Sequence, residues 1–354
     1  MRNVLFFFSN TLIGGAETNI VKISSELKTR GFNVFFASFE NNGPLIYDNH
    51  LEAYYLDLGK FSINPLKSLK KYRRFLIDNN INVVSAFGLR VDLYVRVFSH
   101  LFKSDIKIIS NIRASENWRN YFHVILDRLT SFKVDMWVSN SISARDTFYR
   151  REKIDLSKSK VIYNFIDFDK DYVCSDETIE FLKIGILANY KKSKGHFNLP
   201  SICNELDKRN VKYIIYCAGF DYTNGEFKKI IQNNSLDQKV NILGHISDKK
   251  HFFSTIDVFF LPSYIEGLST SMLEAMSYGV PVVASNVDGM PEGIISGLNG
   301  FLRAPNDFEG FAADLAQIVL PEVRNKFVIN SYSMLSDKFC KEKNIKFWEA
   351  VFSE

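Results

Sequence analysis

The residues best suited by type and spacing to chemistry lie in the run from Leu261 to Gly293, LPSYIEGLSTSMLEAMSYGVPVVASNVDGMPEG. An apolar segment ends at Leu261, and Pro262 to Ser269 supply a turn. Ser269 or Thr270 then offers a side-chain oxygen to cap a following helix. Gly267 lets the backbone approach a ligand closely, and amides at a helix start favour a phosphate or sugar oxygen. Glu266 precedes this helix and Glu274 lies about one turn into it, so both carboxylates can face one crevice. A carboxylate accepts two hydrogen bonds side by side, which suits a vicinal diol on a ribose or a sugar. For Glu274 a second reading stands beside that one: a helix-surface carboxylate paired with a neighbouring base.

The elements that must position these groups alternate strand and helix. Val4–Phe8 is a continuous apolar run, as a parallel strand covered on both faces requires. Gly14-Gly15 follow, Ile20, Ile23 and Leu27 recur at helical spacing, and Gly31 stands at a helix C-terminal cap. Further strands are expected at Phe32–Phe39, Asn82–Ala86, Ile106–Asn111, Met136–Ser139 and Val161–Tyr163, with helices at Leu66–Ile77 and Trp118–Phe132. A second series has strands at Leu182–Leu187, Tyr213–Ala218, Val240–Leu243, Val258–Leu261 and Val280–Ala284. Its helices are expected at Leu199–Arg209, Glu226–Asn233, Thr270–Tyr278 and Gly310–Val319, with a helical tail over about 322–352. Two such series predict an α/β protein of two doubly wound, Rossmann-like domains. In these sheets ligands bind at the carboxyl ends of the strands, and two of them facing each other would form a cleft. The boundaries expected are 1–170, 171–335, and a C-terminal helix at 336–354 that packs back toward the first domain.

Composition sets limits. The chain has 354 residues, more than one core usually supports, with 46% hydrophobic and 24% charged residues, the balance of a folded globular protein. Residues 1–170 carry 25 Lys/Arg against 17 Asp/Glu, a surplus of eight; the whole chain is +4, so the remainder carries −4. The basic helix at Leu66–Phe75 contributes to that surplus. It points either to an anionic partner, such as a phosphorylated acceptor or an acidic membrane surface, or to an ordinary solvated face. Cys174, Cys203, Cys217 and Cys340 have no metal-like spacing and read as reduced thiols. No stretch reaches the roughly 18 consecutive apolar residues of a membrane span. Gly14-Gly15 does not extend to G-x-G-x-x-G, which argues against a dinucleotide-dependent dehydrogenase.

The segment PSYIEGLSTSMLEAMSYGVPVVAS resembles the signature of glycosyltransferase family 4, in which two glutamates stand seven residues apart, here Glu266 and Glu274. The resemblance extends to Gly14-Gly15-Ala16-Glu17, to Val161–Asp167 with Phe165 at a usual glycine, to Ala188–His196, to Gly244-His245-Ile246, and to Asp288–Glu292. It implies the GT-B fold and transfer of a sugar from a nucleotide diphosphate with retention of anomeric configuration. It further implies that Lys194 meets the donor diphosphate and Glu274 the ribose hydroxyls, with Glu266 against the donor sugar. Gly267, Leu268, Ser269 and Thr270 would offer backbone amides, Ile246 would flank the base, and Gly14 and Gly15 would admit the diphosphate or acceptor. The family often has an arginine where Asn189 stands, leaving Asn189, Lys191 or Lys192 to complete the phosphate site. A histidine common in the family after the strand matching Ile106–Asn111 is absent; Arg113 is either a cation reaching in from the first domain or a surface arginine.

No D-x-D element stands where a metal-dependent transferase would use it, so neither a metal nor another cofactor is expected. The partners expected are a UDP- or GDP-sugar and a glycan or polyprenyl-diphosphate-linked acceptor, with no nucleic acid. The place expected is the cytoplasm, with contact to the anionic inner membrane face. A sugar-nucleotide epimerase of the same architecture and a non-catalytic nucleotide-sugar-binding subunit are the rival functions.

Overall fold

A computed structural model describes residues 2–12, 15–41, 43–47, 49–51, 55–59, 63–103, 105–113, 119–168 and 176–353. The chain forms two compact units, Met1–Asn164 with Glu342–Glu354, and Phe165–Lys341.

The first unit runs β1 (Asn3–Asn10), α1 (Gly15–Thr29), β2 (Asn33–Glu40), β3 (Tyr55–Asp57), α2 (Pro65–Asp78), β4 (Val83–Phe87), α3 (Leu89–Phe102), β5 (Lys107–Ile112), α4 (Tyr121–Thr130), β6 (Met136–Ser139), α5 (Ile142–Glu152) and β7 (Ser159–Val161). Its sheet has the order β3-β2-β1-β4-β5-β6-β7, and every pairing is parallel. The chain moves one way from β1 to β2 and the other way from β3 through β7. Right-handed crossovers therefore put α1 on one face and α2 to α5 on the other. Contacts between α2 and α3, α3 and α4, and α4 and α5 agree with one continuous helical layer. The core beneath it is aromatic, with Phe7, Phe39, Tyr72 and Tyr94 packed ring to ring.

The second unit runs β8 (Leu182–Leu187), α6 (Leu199–Lys208), β9 (Tyr213–Ala218), α7 (Glu226–Asn233), β10 (Val240–Gly244), α8 (Lys249–Thr255), β11 (Val258–Leu261), α9 (Thr270–Ser277), β12 (Val282–Ser285), β13 (Phe301–Arg303), α10 (Phe308–Gln317) and α11 (Pro321–Lys338). The parallel sheet has the order β10-β9-β8-β11-β12-β13. Strand order reverses between β8 and β11, the switch point at which such sheets bind ligands.

Four expectations are corrected. The tail is two helices: α11 ends at Lys338 and α12 spans Lys341–Ser353. The break comes where Ile166 N–H donates to the Phe339 carbonyl and Ile166 bridges Cys340. From Glu342 onward α12 belongs to the first unit, where Arg30 pairs with Glu342 and Glu349 and Phe352 packs on Phe6. The fourth helix starts at Tyr121, because the Asn120 side chain caps it by accepting from His123 N–H; Trp118 lies outside the described residues. The strand expected at Val161–Tyr163 is Ser159–Val161. The helices α3, α5 and α8 complete crossovers that sequence periodicity did not mark.

Candidate functional site

At the switch point of the second unit, the loops after β8 and β11 meet. Tyr190 anchors the first: its buried hydroxyl donates to the Cys217 carbonyl at 2.7 Å and accepts from Gly244 N–H at 3.2 Å. His196 fixes the other end of this loop, fully buried with its ring edge-on to Tyr190 and Phe227. Burial, with the nearby Lys194 charge, pulls its pKa down to about 4, so the ring is neutral at physiological pH. Between them, residues 192–194 form a 3-10 turn ended by Gly195 at φ +74°. That glycine is required twice over, since its backbone is left-handed and a Cβ would fall on the Pro262 carbonyl oxygen.

Close approach lets the loops share hydrogen bonds. Tyr264 N–H donates to the Ser193 carbonyl at 2.8 Å, and Asn198 donates to the Tyr264 hydroxyl at 2.8 Å. The outcome is a contact between two of the expected residues: Lys194 Nζ lies 2.7 Å from Glu266 Oε2, both partly buried. Asp288, in left-handed backbone at φ 45°, accepts from Glu266 N–H at 2.9 Å and holds that turn in place.

From Glu266 the chain passes through buried Gly267, Leu268 and Ser269 into α9. Ser269 is the cap, its hydroxyl oxygen accepting from Met272 N–H; Thr270 is the first helical residue. Gly279 at φ 70° closes the helix. Glu274 is buried, and both its oxygens accept from Lys249 Nζ, at 2.9 and 2.8 Å. Sequence spacing had left open a diol-binding or an ion-paired carboxylate; the structure has the ion pair, on a buried residue.

Lys249 was not anticipated. It opens α8, which Asp248 caps by accepting from His251 N–H, and it follows the Gly244–Ile246 turn. Ile246 is half-buried there, beside His245, whose ring stacks on Phe220 at 4.1 Å. The Asn189 side-chain oxygen accepts from Phe220 N–H at 3.0 Å, so Asn189 ties the loop to the end of β9. Lys191 lies over the Tyr222 ring and Lys192 pairs loosely with Glu226, leaving Lys194 as the loop lysine turned to Glu266.

In the first unit, Arg113 follows β5 and is no ordinary surface arginine. Its guanidinium lies over the rings of Phe87 and Trp348, reaches Asn164 at 3.5 Å and Asn111 at 3.4 Å, and leaves buried Nε without a hydrogen-bond partner. Burial pulls its pKa down to about 10, with the Glu17 charge working the other way. Asn164 in turn accepts from Asn19 at 2.9 Å, and Asn111 donates to Ser85 and the Ala86 carbonyl. A polar chain thus runs across the carboxyl ends of β4 and β5. Gly15 begins α1, and Gly14 lies outside the described residues. Among the described residues no group of three or more His, Cys, Asp or Glu could hold a metal ion.

Comparison with known proteins bears on both units. The family model described as Glycosyltransferase Family 4 matches residues 13–170, and that described as Glycosyl transferases group 1 matches residues 176–334. The O-antigen biosynthesis glycosyltransferase WbnH of Escherichia coli is 25% identical over 326 residues, 89% of this chain and 90% of that protein. The capsular polysaccharide biosynthesis glycosyltransferase CapH of Staphylococcus aureus is 24% identical over 308 residues, 81% of this chain and 82% of that one. Among solved structures, HepE of Anabaena in complex with UDP superposes with a TM-score of 0.84 at 17% identity, covering 100% of both chains. The chain is a glycosyltransferase of family 4, with the two parallel-sheet α/β domains of the GT-B fold.

Proposed function

We propose that this enzyme moves a sugar from a nucleotide-diphosphate donor, a UDP-sugar or a GDP-sugar, to a hydroxyl of a glycan or lipid-linked acceptor in surface polysaccharide synthesis, with retention of anomeric configuration. The observation that carries this reading is the Lys194–Glu266 contact at the switch point of the second sheet. The reaction separates charge at the anomeric carbon, and the departing diphosphate gains it. A fixed cation near that oxygen stabilises the transition state more than the ground state. Lys194 fills that role, held in place by Glu266. Glu266 accepts from the donor sugar, and Gly267, Leu268, Ser269 and Thr270 bring backbone amides to sugar and phosphate.

Glu274 takes the two ribose hydroxyls, and Ile246 flanks the base. On the first unit, Arg113 supplies a second cation, with Gly14 and Gly15 admitting the diphosphate or acceptor. Asn189 leaves the phosphate site one cation poorer than an arginine would. The proton of the acceptor passes to the departing diphosphate on the same face of the sugar, so no protein carboxylate is required as nucleophile. Lysine and amides meet the diphosphate charge, so turnover persists in excess chelator; loss of activity there, restored by Mg²⁺ or Mn²⁺, contradicts this. The support for a nucleotide-sugar donor is the fold shared with HepE, solved with UDP. Support for a surface-glycan acceptor is the resemblance to WbnH and CapH.

A thermal-shift panel of nucleotides and nucleotide sugars tests the reading. A ligand at 100 times its dissociation constant adds about 2.7 kcal/mol to stability, so the true donor raises the melting temperature. Free nucleotide must then appear only when an acceptor is added. Conversion of the donor to its epimer without acceptor would identify an epimerase, and nucleotide binding without any turnover a binding subunit.

A further inference from the structure

A helix packed on a sheet ordinarily turns its apolar stripe inward and its charges to water. In the first unit, α4 departs from this: beside Val124 it buries a charge, and it leaves large apolar side chains outside. Its inner side buries Asp127, whose carboxylate pairs with Arg96 of α3 and, at 2.8 Å, with Arg119; Arg96 is 0% and Asp127 1% exposed. Its outer side carries Phe122 and Leu129, 64% and 65% exposed, and Phe132 follows in a 3-10 turn at 74%. With about 3.6 residues per turn, Phe122 and Leu129 share one face of α4, with half-buried Ile125 between them. The neighbouring α3 buries Asp92, Arg96 and Ser99 beside Leu89, Val91, Tyr94 and Val95, and it exposes Val97 and Leu101. Large exposed apolar side chains grouped in this way are what an interaction surface presents.

The flank of this surface is basic. On the other side of α3, helix α2 exposes Ile63, just before it, with Leu66 and Ile77, interleaved with exposed Lys67, Lys70, Lys71, Arg73 and Arg74. Among the described residues of α2, α3 and α4, the exposed acid is Asp78, and Arg74 holds it at 3.1 Å. Apolar side chains beside a cationic rim are what an interfacial helix presents to anionic lipid. A symmetric dimer through the same face would bring two cationic α2 helices toward each other, so charge complementarity favours the lipid surface.

We propose that the α2–α4 face docks this enzyme on a membrane surface containing anionic lipid. Leu101, Phe122, Leu129 and Phe132 seat among the headgroups, and the α2 cations meet lipid phosphates. The buried Arg96, Asp127 and Arg119 charges pair with one another, which lets α4 keep a charge on its inner side. This surface shares no residue with the donor site, and the proposal holds whether or not the donor reading does.

Sedimentation of the full chain with vesicles tests it. The protein should pellet with phosphatidylcholine vesicles containing about a third phosphatidylglycerol, less with phosphatidylcholine alone, and less as salt rises. The triple change Phe122→Ser, Leu129→Ser and Phe132→Ser should cut binding about tenfold or more, with tryptophan-monitored unfolding unchanged. Phe122→Trp should keep binding and add blue-shifted emission when anionic vesicles are present. Wild-type protein left in the supernatant with anionic vesicles overturns the proposal, as does a triple variant that pellets like wild type. A dimer that the triple change turns into monomer, with no lipid binding by either, assigns the face to self-association and overturns it too.

Discussion

The Lys194 ammonium donates a 2.7 Å hydrogen bond to Glu266, a residue 72 positions away on the neighbouring loop of the switch point. The contact joins the loop after β8 to the loop after β11, and it places one cation and one carboxylate where strand order reverses.

Replacing Lys194 by Met keeps the length of the stem and removes its charge. Turnover of nucleotide sugar to free nucleotide should fall by about a hundred- to a thousandfold, the usual effect of losing a transition-state charge partner. Melting temperature should change little, because the ion pair is partly solvated and worth little to stability. Near-normal turnover would remove Lys194 from the reaction.

Gly195 and Gly297 form a matched pair. Both lie in left-handed backbone, at φ 74° and 76°, but open space surrounds Gly297 while a Cβ at Gly195 meets the Pro262 carbonyl. Gly297→Ala therefore carries only the backbone strain, about 1 kcal/mol. Gly195→Ala should destabilise the second unit by clearly more, read by hydrogen exchange at β8 and β11, and should also lower turnover by moving Lys194. Equal effects from the two alanines would show that the close approach does not matter.

These contacts also mark where sequence reading stops. Apolar runs such as Val4–Phe8 and Val258–Leu261 fix buried parallel strands directly, since both faces are covered. Glu266 and Glu274 stand out because their spacing is local, within one turn and one helix. Lys249 does not, because it reaches Glu274 only through the packing of α8 against the sheet, 25 residues away in sequence. The helix α3 escaped notice because Val91, Val95, Val97, Tyr94 and Phe98 favour a strand. Its i, i+4 pair Asp92 and Arg96 is buried, where a surface pattern would have exposed it. The break at Phe339–Cys340 depends on a bridge to Ile166 that local periodicity cannot signal.

Asp92 should make the first unit sensitive to pH. Burial lifts its carboxyl from 3.8 to about 7, against the pull of Arg96. The folded state prefers the protonated form, so this contribution to stability is full below pH 3.8 and is lost as pH rises toward about 7. Asp92→Asn should flatten the fall in stability across that range. All three tryptophans (Trp118, Trp137 and Trp348) lie in the first unit, so their emission follows it alone. An unchanged slope in the variant would mean that Asp92 stays ionised in the fold.

Arg113 pairs with no carboxylate among the described residues and leaves Nε unbonded. Arg113→Gln should lower turnover about tenfold, the scale of one lost charged contact, while tryptophan-monitored unfolding shifts little. Loss of stability with turnover intact would make this arginine a structural group packed on Phe87 and Trp348.

The most direct measurement is calorimetric titration of UDP and GDP into wild-type enzyme and into Glu274→Ala. One nucleotide should bind the wild type, and Glu274→Ala should weaken it by about tenfold or more through loss of charged hydrogen bonds to the ribose. The 2′-deoxy nucleotide should bind the wild type more weakly, and the variant should no longer tell the two apart. Failure of both nucleotides to bind the wild type, or equal affinity for wild type and variant, would contradict a donor site built on Lys194, Glu266 and Glu274.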